Sequence, residues 1–310
     1  MELSVILPVF NEEKNLRPLF DELKDVLEEN FTSYEIIFVN DGSEDASQDI
    51  LKDLGDQHKE VKWLELRKNF GQSEAIQAGI NQSKGDLVAT MDSDMQNNPK
   101  DIPRLVEELE STDSDLVNGW RKKRKDPFMK STFSGVASFF RRIILGAKLH
   151  DYGCTLKVMK REAAESLELR GEMHRYIPAL IKIHGFKVSE IKVNHRERNA
   201  STTKYGLKRL PKGFIDLTKV WFWKEFKGRP LHIFGGVGLA SIFLGGLLFS
   251  FALYQKINGT SLSDTGATVI SVFLVLIGVQ FFLSGILAEL VQKNMHTSEP
   301  TNYKVKRVKR

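Results

Sequence analysis

A chain of 310 residues with a single cysteine, Cys154, has room for one large domain plus an appendage and excludes an intrachain disulfide. Its 45 Lys and Arg against 40 Asp and Glu leave a formal net charge of +5, an excess equal to the five charges of Lys304, Lys306, Arg307, Lys309 and Arg310, so the rest of the molecule is balanced. No folded recognition motif accompanies that basic run, which argues against nucleic acid as a partner.

Met1 leads almost directly into the apolar run Leu3 to Val9, with no basic segment and longer apolar core ahead of it, so a cleavable signal peptide is not expected. Strand-like runs recur at Tyr34 to Val39, Val61 to Leu66, Leu87 to Met91 and Asp115 to Asn118. Between them, Leu16, Leu19, Phe20, Leu23, Val26 and Leu27 keep the i, i+3, i+4, i+7 spacing of a helix, and Ile102, Leu105, Val106 and Leu109 repeat it over a shorter segment. Strands alternating with helices imply crossover connections, hence an α/β domain on a mostly parallel sheet. The second half is less regular, with helices expected near Ser134 to Leu145 and His174 to Ile183 and a strand near Lys187 to Val193.

From Gly206 to Lys227, Phe214, Trp221, Phe222, Trp223 and Phe226 are mixed with Lys208, Arg209, Lys212, Lys219 and Lys224. Such a mixture suits helices lying in a membrane interface, the other reading being ordinary amphipathic packing. Leu231 to Tyr254 and Ala267 to Leu287 are almost free of charge, and each is longer than the roughly 20 residues that span a bilayer. Joined by the polar Gln255 to Thr265, they predict a transmembrane hairpin that returns the chain to its starting side, with the basic tail obeying the positive-inside rule. The expected division is a cytoplasmic domain over 1–205, juxtamembrane amphipathic helices over 206–230, two membrane helices over 231–291 and a basic cytoplasmic tail over 292–310. Small residues four apart, Gly236 with Ala240 and Ser241 with Gly245, predict a homo-oligomer, unless they pack the helix against its hairpin partner.

The chemistry gathers at strand ends. Asp92-Ser93-Asp94-Met95-Gln96 follows the apolar run ending at Met91, and in open α/β sheets ligands bind beyond the carboxyl ends of strands. Two carboxylates and an amide there suit a hard cation, Mg²⁺ or Mn²⁺, although the same letters also describe a solvated turn. Pro8-Val9-Phe10-Asn11-Glu12-Glu13 closes the first strand and Asn40-Asp41-Gly42-Ser43 the second, which brings them to the same edge. There Asp41 is placed to accept hydrogen bonds from a nucleotide base.

The order of these segments, with Asn69-Phe70-Gly71-Gln72 between them, resembles inverting nucleotide-sugar glycosyltransferases, and among these the polyprenyl-phosphate glycosyltransferases. The likeness covers about residues 3 to 230. It implies a GT-A (Rossmann-like) catalytic domain, followed by the interfacial helices and the two-helix hairpin. By resemblance, Pro8, Phe10, Glu12 and Asp41 hold the nucleoside, Asp92 lies near ribose and diphosphate, and Asp94 with Gln96, joined by Asp92, holds the metal. Asp151-Tyr152-Gly153-Cys154 resembles the segment near the reacting centre, making Asp151 the leading catalytic or acceptor-positioning carboxylate beside Asp94 and Arg121. Arg121, Arg196, Arg198 and Lys204 are the cations expected at the acceptor phosphate, whose approach to a diphosphate must be screened. His174 and Arg175 match a family segment without an assignable role.

The expected activity is metal-dependent, inverting transfer of a sugar from a nucleotide-diphosphate sugar to a polyprenyl phosphate, undecaprenyl or dolichyl, at the cytoplasmic membrane face. A UDP-sugar is favoured by family analogy alone. Two rivals are a processive polysaccharide synthase, whose Gln-x-x-Arg-Trp segment is missing, and a non-enzymatic nucleotide-sensing membrane anchor.

Overall fold

The computed structural model describes residues 1–121, 149–196, 230–258, 266–295 and 305–309. They belong to two compact units, Met1–Val220 with Thr301–Arg310, and Trp221–Pro300. The apolar runs of the first unit form β1 (Leu3–Val9), β2 (Tyr34–Asn40), β3 (Val61–Leu66) and β4 (Leu87–Thr90), which lie parallel in the order β4-β1-β2-β3. Covered on both faces, β1 and β2 show no alternation in sequence.

The crossovers are α1 (Leu16–Asn30), α2 (Ser47–Gln57) and α3 (Gln72–Gln82), and α4 (Asp101–Ser111) leads from β4 into β5 (Leu116–Trp120). Side chains alternate across the pleat. Leu3, Val5, Leu7 and Val9 therefore join one apolar cluster with α1, Leu51 of α2 and Ile102 and Leu105 of α4. Ile6 points the other way, into a second cluster with Ala75 and Ile76 of α3. The buried face of α1 consists of the six residues whose spacing predicts it, Leu16 to Leu27.

Beyond the first four strands the sheet runs β7-β5-β6-β4, where β6 (Lys157–Lys160) pairs antiparallel with both β4 and β5, and β7 (Val188–Lys192) lies parallel to β5. The sequence pattern misses β6 because it is four residues long and carries a lysine at each end. Next come α5 (Arg161–Glu165), a 3₁₀ turn over Met173–Tyr176, and α6 (Ile177–Ile183). The single helix expected near His174 to Ile183 is thus divided, with Pro178 in the first turn of α6, where its missing N–H costs nothing. At the opposite edge β8 (Val305–Lys309), from the basic tail, pairs antiparallel with β3, an arrangement the charge pattern does not announce. The helix expected near Ser134 to Leu145 and the interfacial segment 206–229 lie outside the described residues.

The second unit contains α7 (Pro230–Ile257) and α8 (Gly266–Met295). Stretches of 28 residues in α7 and 26 in α8 are long and apolar enough to cross a membrane. Large apolar side chains such as Phe243, Phe273 and Leu276 stay exposed on them, a surface that suits lipid rather than water. The two helices meet where Gly238 faces Gly278: a Cβ on either would come within 2.6 or 2.7 Å of the other's carbonyl oxygen. Ser241 donates to the carbonyl of Leu274 at 2.8 Å, and a Cβ at Gly245 would lie 2.8 Å from Val275. Ser241 and Gly245 therefore serve the hairpin, whereas Gly236 and Gly246 face open space.

Candidate active site

β1 lies between β2 and β4, so the connections leaving it diverge at this point and open a crevice beyond the strand ends. The segments singled out in the sequence converge here. Asp41 accepts backbone hydrogen bonds from Phe70 at 2.7 Å and Gly71 at 2.8 Å. Burial still pushes its carboxyl above the ordinary range, against those two bonds. Gly42 is required beside it: its φ is +72°, and a Cβ would sit 2.5 Å from the Lys68 backbone. Asn11 ties the first two strand ends together, donating through its N–H to Ser43 Oγ and accepting from the Glu44 N–H. Phe10 is left 45% exposed at the rim, Pro8 gives its carbonyl to Ser93 Oγ at 2.8 Å, and the Glu12 N–H donates to Ser47 Oγ.

Asp92 is held from two sides. Gln72, at the start of α3, donates to Oδ1, and Thr155 Oγ1 donates to Oδ2 at 2.8 Å. Thr155 in turn accepts from Asn97 Nδ2 at 2.9 Å. The Asp92 carboxyl is pushed up to about 6, first by burial and then by the charge of Asp94. Asp94 caps its own turn by accepting from the Gln96 N–H at 3.1 Å, and Met95 between them is forced to a φ of 63°, a conformation uncommon for such a side chain. Backbone strain of this kind gathers at functional turns.

Asp151 and Arg121 form a two-pronged ion pair, Nε to Oδ2 at 2.7 Å and Nη2 to Oδ1 at 3.1 Å, with both side chains about nine-tenths buried. Gly153 N–H also donates to Oδ1, and Asn118 Nδ2 fixes the Asp151 carbonyl at 2.6 Å. Lys157, the first residue of β6, lies under this turn and donates to the Cys154 carbonyl; burial pushes its ammonium down to about 8. Gln72, Asn97, Asn118, Thr155 and Lys157 carry no role in the sequence reading. Only the position of Gln72 inside a recognised segment could have pointed to one.

The remaining expected cations are placed differently. Arg196 donates through the one nitrogen Nη1 to both oxygens of Glu22 on α1, at 3.0 and 2.8 Å, and through Nη2 to Asn98 Oδ1. Its backbone is tied to the Asp94 turn, since the Arg196 N–H donates to the Gln96 carbonyl at 2.8 Å and His195 bridges to Asn97. Arg198 and Lys204 lie outside the described residues. His174 is buried against Ser73, with Nδ1 at 2.9 Å from Oγ, and Arg175 pairs with Glu172.

Whether these residues fit a divalent cation turns on Asp92 and Asp94. The charge of Asp94 raises the proton affinity of Asp92, a repulsion that a shared cation relieves, and carboxylate oxygens suit Mg²⁺ or Mn²⁺. Among the described residues no group of three or more His, Cys, Asp or Glu that could hold a metal ion is present.

The family model for glycosyl transferase family 2 matches residues 4–168, more than half of the chain and the part that builds this crevice. The chain belongs to that family. Dodecaprenyl-phosphate galacturonate synthase from Rhizobium johnstonii is 38% identical over 99% of this chain and 93% of its own length. Undecaprenyl-phosphate 4-deoxy-4-formamido-L-arabinose transferase from Yersinia pestis is 34% identical over 94% of this chain and 88% of its own. Both alignments run through the apolar helices, so the likeness of this family 2 glycosyltransferase to polyprenyl-phosphate sugar transferases extends over nearly the whole chain. Glucosyl-3-phosphoglycerate synthase from Mycobacterium tuberculosis, solved with Mn²⁺ and UDP-glucose, superimposes with a TM-score of 0.56 at 20% identity, covering 72% of this chain and 78% of that one. That likeness establishes the GT-A fold.

Proposed function

We propose that the enzyme transfers a sugar, with inversion, from a UDP-sugar to a polyprenyl phosphate at the cytoplasmic face of a membrane, using Mg²⁺ or Mn²⁺. The observation that carries this reading is the pairing of Asp92 and Asp94 with the Arg121–Asp151 fork around one crevice, in a chain collinear with lipid-phosphate sugar transferases. Asp92, Asp94 and Gln96 would hold the cation, which supplies charge neutralisation for a departing diphosphate. Asp41 receives the base N–H and Phe10 offers the ring face beside it.

A phosphate monoester is already largely ionised near neutral pH, its second pKa being about 6, so the nucleophile needs little help from a base. Asp151 accepts two guanidinium donors and the backbone N–H of Arg121 as well as the Gly153 N–H, an arrangement suited to aiming a guanidinium rather than to removing a proton. The Arg121 donors that Asp151 does not use are thereby oriented toward the acceptor phosphate, screening it from the donor. Arg196, with Arg198 and Lys204 farther along the sequence, completes the acceptor side after exchanging Glu22 for phosphate oxygens. In-line attack by that phosphate on the anomeric carbon inverts its configuration.

A screen of UDP- and GDP-sugars against undecaprenyl phosphate and dolichyl phosphate, with mass spectrometry of the lipid fraction, tests the reading. One sugar attached to the lipid phosphate is the expected product. Long polymer, or sugar released only to water, would sink it.

A further inference from the structure

Lys157 is buried to 1% exposure on a strand whose neighbours are Leu156, Val158 and Met159. An ammonium taken out of water is costly unless compensated, and an apolar residue would complete β6 more cheaply. Its register explains what the charge could do there. Lys157 pairs with Thr90 on β4 and Asn118 on β5, which places it just before Asp92 on one side and just before Arg121 on the other. It donates to the carbonyl of Cys154, in the turn that carries both Asp151 and the Thr155 that grips Asp92. Its charge acts on Asp92 and Asp151 alike.

We propose that Lys157 is a positioning residue of the transfer site, which clamps the 151–155 turn and sets how strongly the Asp92–Asp94 pair draws a divalent cation. This rests on the reading of that pair as the cation site. Asp151 is matched by Arg121 in the two-pronged pair, and Lys157, ahead of Arg121, is the cation whose charge bears on Asp92. With Lys157 charged, the pair is partly neutralised before a cation arrives. An apolar residue there leaves the pull of the carboxylates less compensated while releasing the Cys154 carbonyl. Cation affinity and turnover therefore move in opposite directions, which general damage to the fold would not produce.

The test uses the full-length chain in detergent at pH 7, below the value of about 8 at which Lys157 loses its charge, with free Mn²⁺ followed by electron paramagnetic resonance and lipid product formed by the same samples. K157M should bind Mn²⁺ about tenfold more tightly than wild type and turn over about tenfold more slowly, an electrostatic difference of ordinary size for a buried charge. K157R, which keeps the charge, should bind Mn²⁺ within about twofold of wild type on the same argument. K157Q, neutral but still able to donate to Cys154, should share the tighter binding of K157M with a smaller loss of turnover, and it serves if K157M fails to fold. D94A separates the two ideas. Equal Mn²⁺ binding by wild type and D94A overturns the cation site and the Lys157 inference with it. Lost binding in D94A, with unchanged or weaker binding in folded K157M or K157Q, overturns the Lys157 inference alone.

Discussion

Asp92 carries the clearest pH signature. Its folded carboxyl titrates at about 6 against an ordinary value of 3.8, so the folded chain holds that proton more tightly than the unfolded chain does. Stability from this group is therefore present below the ordinary value and lost as pH rises through about 6. Melting in EDTA should show wild type losing ground to Asp92→Asn between pH 4 and 7, a window set by these two values. Mn²⁺ at pH 7 should restore wild type and leave Asp94→Ala unmoved; parallel curves for all three proteins would refute the assignment. Asp94→Ala should also lower turnover by about 100-fold or more, whereas Asp41→Ala should chiefly raise the KM for the nucleotide sugar. For Asp151→Asn the decisive measurement is the pH–rate profile. If Asp151 aims Arg121, turnover falls without displacement of the acidic limb; disappearance of that limb would make it a base. Asp92, Asp94 and Asp41 could be picked out in sequence because short motifs at strand ends mark them, and Asp151 because its segment resembles one of the family's. Thr155, Asn97 and Lys157 were not, since each acts by touching a residue more than 50 positions away or by occupying a core position that a pattern reads as apolar.

At the scale of elements, legibility followed length and periodicity. The long apolar strands and α1 declare themselves because burial on two faces, or on one helical stripe, imposes a pattern on many residues at once. β6 has four residues and an unpatterned composition, yet it is the strand that joins β4 to β5 and brings Asp151 beside Asp92. The two long apolar helices show the converse: their existence was plain in the sequence, but which glycines face which partner was not. Gly278→Leu should weaken α7–α8 packing by about 1–3 kcal/mol, because the side chain would collide with Ile242 and the Gly238 backbone. Gly236→Leu should leave the hairpin intact. Crosslinking between cysteines introduced at α7 and α8 reads the first effect, and native mass in detergent shows whether the outward Gly236 face contributes to an oligomer.

For the whole molecule, the pairing of β8 with β3 means that the chain leaves the catalytic sheet, passes through two helices able to span a bilayer, and returns to the same sheet. Such a path demands an even number of crossings. Because Cys154 is the only cysteine and is buried, single cysteines at Asn258 and Lys309 can be probed with an impermeant maleimide in sealed vesicles. Lys309→Cys and a cysteine at Met1 should react from one side and Asn258→Cys from the other; labelling of all three from one side would remove the crossings. The path also orders biogenesis. β3 is synthesised long before β8, and until both apolar helices have been made its backbone edge, including Trp63 and Leu64, has no partner and is open to capture by strands of other chains. Completion of the catalytic sheet thus has to wait until both apolar helices have been made. A nascent chain whose helices stall outside the bilayer should be marked for aggregation by an unfinished sheet edge as well as by the helices themselves.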